Sequence, residues 1–138
     1  MKYIIIVKAN ADSEAGVMPG EDLLSAMQKY HEELANAGIL VDASGLKPTS
    51  KGWRVRFTGG KRSIIDGPFA ETKELIAGFT IIDVMSRAEA IEWTSRFPNP
   101  AIGGSDCEIE VREFFELDDF GEGPAIERFR ELEARMGK

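Results

Sequence analysis

The chain carries a single histidine, His31, the one side chain in it whose ordinary pKa sits close to neutrality. A carboxylate that accepts a hydrogen bond from one imidazole nitrogen raises the basicity of the other, which can then move a proton. The candidate carboxylate is Asp66. If Gly59 and Gly60 form a two-residue hairpin turn, Val55 pairs with Ile64 and Trp53 pairs with Asp66. Asp66 then shares a face with Trp53, Val55, Phe57 and Ile64. A buried, unpaired carboxylate there would cost several kcal/mol, so the spacing predicts a partner for it. His31 as general base or acid, Asp66 as its orienting group, and Arg54 or Lys73 holding an anion would suit a cofactor-independent lyase or isomerase. The competing reading makes His31 a packed structural residue and Asp66 a brace for its own turn. That reading leaves a non-catalytic ligand-binding or regulatory domain.

The elements that must position these groups follow from periodicity. Tyr3 to Val7 is a continuous β-branched and aromatic run, read as a central strand buried on both faces. Asn10 to Gly20 reads as loop. Leu23, Met27, Tyr30 and Leu34 form one apolar stripe on a helix from Glu21 to Ala37, stopped by Gly38. His31 lies on the flank of that stripe. Ile39 to Ala43 reads as a short strand. Trp53 to Phe57 alternates strictly and, with Arg62 to Asp66, makes the hairpin. Ile76 to Val84 is a further strand. Ser86 to Glu89 has the form of a capping box opening a helix that ends near Phe97, ahead of Pro98. Cys107, Ile109 and Val111 alternate with polar residues as a last strand. Gly123 and Pro124 then open a terminal helix with Ile126, Phe129, Leu132 and Met136 on one side.

This order, two βαβ-like halves flanking a hairpin, predicts an α+β fold: a ferredoxin-like antiparallel sheet with helices on one face. The other face would need cover, and a second copy would supply it. The expected domains are residues 1–120 and a helical extension over 121–138.

Composition limits the rest. The 138 residues suit one domain able to bury a core. The formal net charge is −7, and acidic residues appear throughout the polar stretches, so neither a basic stripe nor nucleic-acid binding is expected. The apolar run at the N-terminus is too short for a secretion signal or a membrane span, and a cytoplasmic protein is expected. One cysteine excludes an internal disulfide, and one histidine with one cysteine makes no familiar zinc site. No metal or cofactor is expected. The glycine pairs fit no phosphate-loop or dinucleotide pattern.

Asp66-Gly67-Pro68-Phe69 breaks its strand in a tight turn, and Ala70-Glu71-Thr72-Lys73-Glu74 follows with four polar residues in five. The string DGPFAETKE is the name-giving motif of the DGPF branch of the YCII-related proteins. GWRVRFTGGKR at Gly52 to Arg62, ELIAGF at Glu74 to Phe79 and AIEWTSRFPNP at Ala90 to Pro100 also resemble that family. The resemblance covers roughly residues 1 to 120. It implies a dimeric α+β barrel of ferredoxin-like protomers. Some members of the wider family are described with a His–Asp pair in a cleft, and one relative removes chloride from a chlorinated ring. His31 and Asp66 are the positions here that could supply such a pair, although His31 lies outside the motif. Some DGPF proteins occur beside alternative sigma factors.

Overall fold

A computed structural model describes residues 1–138. Strand β1 spans Lys2–Lys8, followed by the one-turn helix α1 (Ala11–Glu14) and the long helix α2 (Glu21–Asn36). Strands β2 (Leu40–Gly45), β3 (Trp53–Thr58), β4 (Lys61–Asp66) and β5 (Ile76–Asp83) come next. Helix α3 (Arg87–Ser95), strand β6 (Ile109–Glu113) and helix α4 (Pro124–Met136) complete the chain.

Four strands form one antiparallel sheet in the order β2-β5-β1-β6. Strands β1 and β2 flank β5 and run parallel to each other, with α2 as their crossover. Strands β5 and β6 flank β1 with α3 as theirs. These are the two split βαβ units of a ferredoxin-like sheet. Hairpin β3–β4 is inserted between β2 and β5 and forms a separate two-stranded sheet.

The helices cover one face only. Under them lie Tyr3, Ile5 and Ile82, closed over by Tyr30, Leu34 and Ala90, with Ile39 and Val84 at the margin. Ile5, Leu34 and Ile82 are fully enclosed, and each such side chain contributes about 1.5–3 kcal/mol by leaving water. The opposite face carries Ile4 and Ile6 of β1 beside Ile81 and Phe79 of β5, all half-buried. Strand β1 is therefore buried on one face, at Tyr3 and Ile5, and only half-buried on the other. Its apolar residues outnumber what one helical layer can cover.

Other local expectations are met in part. Helix α2 ends one residue early, at Asn36, and α3 ends at Ser95. The Ser86 hydroxyl accepts from the Glu89 amide as a cap should, while the Glu89 carboxylate takes the amide of Met85. The loop after β1 contains α1, which Asn10 and Ser13 close with a reciprocal capping box. Cys107 lies exposed ahead of β6 and donates weakly to Asn99 Oδ1 at 3.0 Å. No helix is long and apolar enough to cross a membrane.

The Tyr30 hydroxyl donates to the Trp93 carbonyl at 2.7 Å and so ties α2 to α3. Burial, opposed in part by Arg96 and aided by Glu33, pushes its pKa from 10.0 up to about 12. A group with a raised folded pKa gives stability that is intact below its unfolded pKa and is lost as pH rises through the folded value. Urea denaturation should therefore show the wild type losing stability between about pH 10 and 12 relative to Tyr30→Phe. At pH 7 that variant should be weaker by about 1 kcal/mol through the lost hydrogen bond.

Candidate functional site

The motif segment begins where β4 ends. Hairpin register is as the spacing requires: Trp53 pairs with Asp66, Val55 with Ile64 and Thr58 with Lys61. Gly59 and Gly60 both have positive φ, 60° and 74°, the conformation a two-residue primed turn demands. The face shared by Trp53, Val55, Phe57 and Ile64 does not turn inward, however. Trp53 is 63% exposed and Ile64 71%. Asp66 is exposed with them and makes no side-chain hydrogen bond within the chain. The expected inward-facing carboxylate is corrected here. Because the hairpin leaves the main sheet, its apolar face has no helix over it.

The residues after Asp66 form a latch. An ideal Cβ placed on Gly67 would lie 1.8 Å from the Thr49 carbonyl oxygen, so the backbone approaches as closely as glycine alone permits. The Gly67 amide donates to the Gly52 carbonyl at 3.0 Å, and the Phe69 amide to the Thr49 hydroxyl at 3.1 Å. The Gly67–Pro68 peptide is cis. The Thr49 hydroxyl and amide both donate to the Glu14 carboxylate, at 2.5 and 3.1 Å. The Arg54 guanidinium lies 3.8 Å from the centre of the Phe69 ring and 3.9 Å from the Glu71 carboxylate. Hairpin base, β2–β3 connection and α1 are thereby tied together.

His31 belongs to a different place. Its Nδ1–H donates to the Met27 carbonyl at 2.7 Å, since a carbonyl can only accept. Its Nε2 is hydrogen-bonded to the Thr80 hydroxyl at 2.8 Å, a contact in which the neutral ring accepts. Thr80 is buried beneath α2 on β5, and Tyr30 and Phe97 meet the imidazole edge to face at 5.6 and 6.2 Å. Both ring nitrogens are thus engaged on the helix-covered face. The protomer does not join His31 to Asp66 by a hydrogen bond. Thr80 was invisible as a partner because nothing in its own sequence neighbourhood points to a histidine 49 positions away.

Lys73 lies at a third place, on the rim of a cleft of about 320 Å³ at one end of the open sheet face. Ile6, Leu75 and Ile76 give it apolar walls, and Lys8, Arg112, Glu74 and Glu110 join Lys73 around them. Lys8 bridges to Glu110 at 3.4 Å and Glu108 at 3.7 Å. Lys8 and Arg112 were missed by sequence reasoning, although the alternation of β1 and β6 puts Ile6, Lys8, Glu110 and Arg112 on one face. Arg54 is committed to the latch and is not part of this cleft. No cluster of three or more His, Cys, Asp or Glu side chains could hold a metal.

The family model for the YCII-related domain matches residues 1–115, most of the chain. The chain belongs to the YCII-related family. A curated member-like relative, the uncharacterised protein R00369 of Rhizobium meliloti (strain 1021), is 40% identical over 76 residues. That alignment covers 55% of this YCII-related chain and 59% of the relative's length. Among solved structures, the 5-chloro-2-hydroxyhydroquinone dehydrochlorinase TftG from Burkholderia phenoliruptrix AC1100, in complex with 2,5-dihydroxybenzoquinone, is similar with a TM-score of 0.45 and 15% identity. The match covers 83% of this YCII-related chain and 94% of that one.

Gly67→Ala should destabilise the domain by about 2–4 kcal/mol, because the clash is with backbone that cannot swing away. His31→Ala should cost about 1–3 kcal/mol by orphaning the Thr80 hydroxyl, whereas Asp66→Ala should stay within about 0.5 kcal/mol of wild type. Denaturant midpoints at pH 7 measure all three.

Proposed function

We propose that this YCII-related protein, a member of the DGPF branch by its nonapeptide at 66–74, works as a cytoplasmic homodimer of the α+β barrel type that holds a small anionic molecule. The observation that carries the reading is the cleft on the open sheet face. Three cations, Lys8, Lys73 and Arg112, stand against two carboxylates around an apolar floor. Its volume lies at the lower end of the range for small-molecule sites, which run from about 300 to 1,000 Å³. A compact aromatic or short aliphatic carboxylate matches both its charge and its apolar walls. The dimer is supported by Ile4, Ile6, Phe79 and Ile81, four large apolar side chains that one layer of helices leaves half-covered on the same face.

A second reading is a cofactor-independent lyase or isomerase with His31 as base and Asp66 as its partner. One observation favours it. With Nδ1–H fixed on the Met27 carbonyl, Nε2 is the ring nitrogen left to exchange a proton. That reading requires Thr80 to release Nε2 and Asp66 to be brought up from the hairpin base. A regulatory role beside sigma factors rests on the motif's resemblance alone.

Lys73 tests the first reading because it is exposed and outside the core. With benzoate as probe in isothermal titration calorimetry, Lys73→Glu should weaken binding at least about tenfold, a loss of about 1.4 kcal/mol. Wild type that takes up no benzoate, or a variant that binds it equally well, would remove the cleft from the account.

A further inference from the structure

Two exposed aromatic surfaces of opposite charge remain unused by the readings above. The first is the hairpin with its approach. From Lys47 to Ile65 the chain carries Lys47, Lys51, Arg54, Arg56, Lys61 and Arg62 and no carboxylate, although the whole chain is at −7. The expectation that no basic stretch offsets the acidic balance is corrected here. Trp53, Phe57 and Ile64 stand exposed on the hairpin, with the Arg62 guanidinium 5.0 Å from the centre of the Phe57 ring.

The second surface follows β6. From Glu113 to Glu122 there are five carboxylates, Glu113, Glu116, Asp118, Asp119 and Glu122, and no basic residue. Phe115 is 77% exposed and Phe120 59%, with their rings 5.1 Å apart. Helix α4 follows, tied to the preceding turn by Arg130 and Asp118 at 2.9 Å, and it leaves Phe129, Leu132 and Met136 open. No residue of this helix is buried.

Topology decides whether one chain can bring the two together. Strand β2 runs antiparallel to β5 and ends at Gly45, close to where β5 begins, so the hairpin leaves from that end of the sheet. Strand β6 runs antiparallel to β1 and ends at Glu113 opposite Tyr3, so the acidic segment leaves from the other end. It also leaves from the far edge, since β2 and β6 are the outer strands. Along the strands the separation is four residues, from the level of Tyr3 to that of Val7, or about 13 Å at 3.3 Å per residue, and the width of the sheet adds to it.

We propose that the hairpin of one copy docks on the acidic segment and α4 of a second copy, and reciprocally. This rests on the homodimer reading and specifies it. The two-fold axis must lie between the sheets and diagonal to the strands, so that the hairpin corner of one sheet meets the acidic corner of the other. Each contact pairs cations with carboxylates and aromatic with aromatic side chains. Because the surface is self-complementary, the pair closes as an isologous dimer.

The test uses the full chain with a benzoylphenylalanine photo-cross-linker in place of Phe57. Isotope-labelled and unlabelled copies are mixed so that cross-links between copies can be told apart by mass. Cross-links between copies that fall within residues 113–136 are expected. A dimer whose cross-links fall on the partner's hairpin or sheet face overturns this docking and leaves the dimer standing; a monomer at tens of micromolar overturns both. Charge reversal gives an independent arm. Arg62→Glu, on the aromatic face of the hairpin, or Glu113→Lys with Glu122→Lys, should each weaken self-association at least tenfold by sedimentation. An equal mixture of the two charge-reversed proteins should recover it, and failure to recover overturns the proposal. The same holds if the wild type binds a 20-base-pair DNA duplex and Arg62→Glu abolishes the binding, which would assign the hairpin to nucleic acid.

Discussion

The chain's arrangement turns on the contact between the backbone of Gly67 and the carbonyl of Thr49. No side chain fits between them. Closing that gap brings the hairpin's return strand against the connection that launched it, and Thr49 passes the constraint on to Glu14 of α1. The chain then reaches Leu75, whose carbonyl takes the Ala9 amide at the end of β1. The hairpin can be inserted between β2 and β5 without disturbing their pairing because its base is sealed locally.

A consequence is that the motif's chemistry-bearing residues are divided. Glycine, proline and phenylalanine build the latch, and Glu71 steadies the arginine that stacks on it. Lys73 passes to the open-face cleft, and Asp66 is left in solvent. His31 meanwhile is spent between α2 and β5, where both ring nitrogens have hydrogen-bond partners. The four residues that sequence reasoning set around one site therefore occupy three places.

Much of the fold was legible because it rests on local rules. Alternation gave the strands, the stripe gave α2, and two glycines gave the hairpin register to the residue. The ferredoxin-like order followed from element sequence and crossover rules. What was not legible depends on which surfaces meet. Alternation says that Trp53 and Asp66 share a face, but not that this face has nothing above it. The stripe sets His31 at its edge, but the hydroxyl it meets is on a strand far along the chain. Helix α4 has a clear apolar side, yet periodicity does not say whether the cover comes from its own chain. Helix α1 was missed because four residues are too few for a stripe, although Asn10 and Ser13 at capping spacing were a readable signal.

Hairpin β3–β4 has a further thermodynamic consequence. Two strands with no third beside them are marginal in water, and here the latch holds only one end. Opening the free end breaks few hydrogen bonds and exposes little new apolar surface, since Trp53, Phe57 and Ile64 already face solvent. In an isolated chain this hairpin should open at a lower free energy than the central strands β1 and β5. Anything that covers it adds order as well as contact, so part of the energy of covering it goes into finishing the fold.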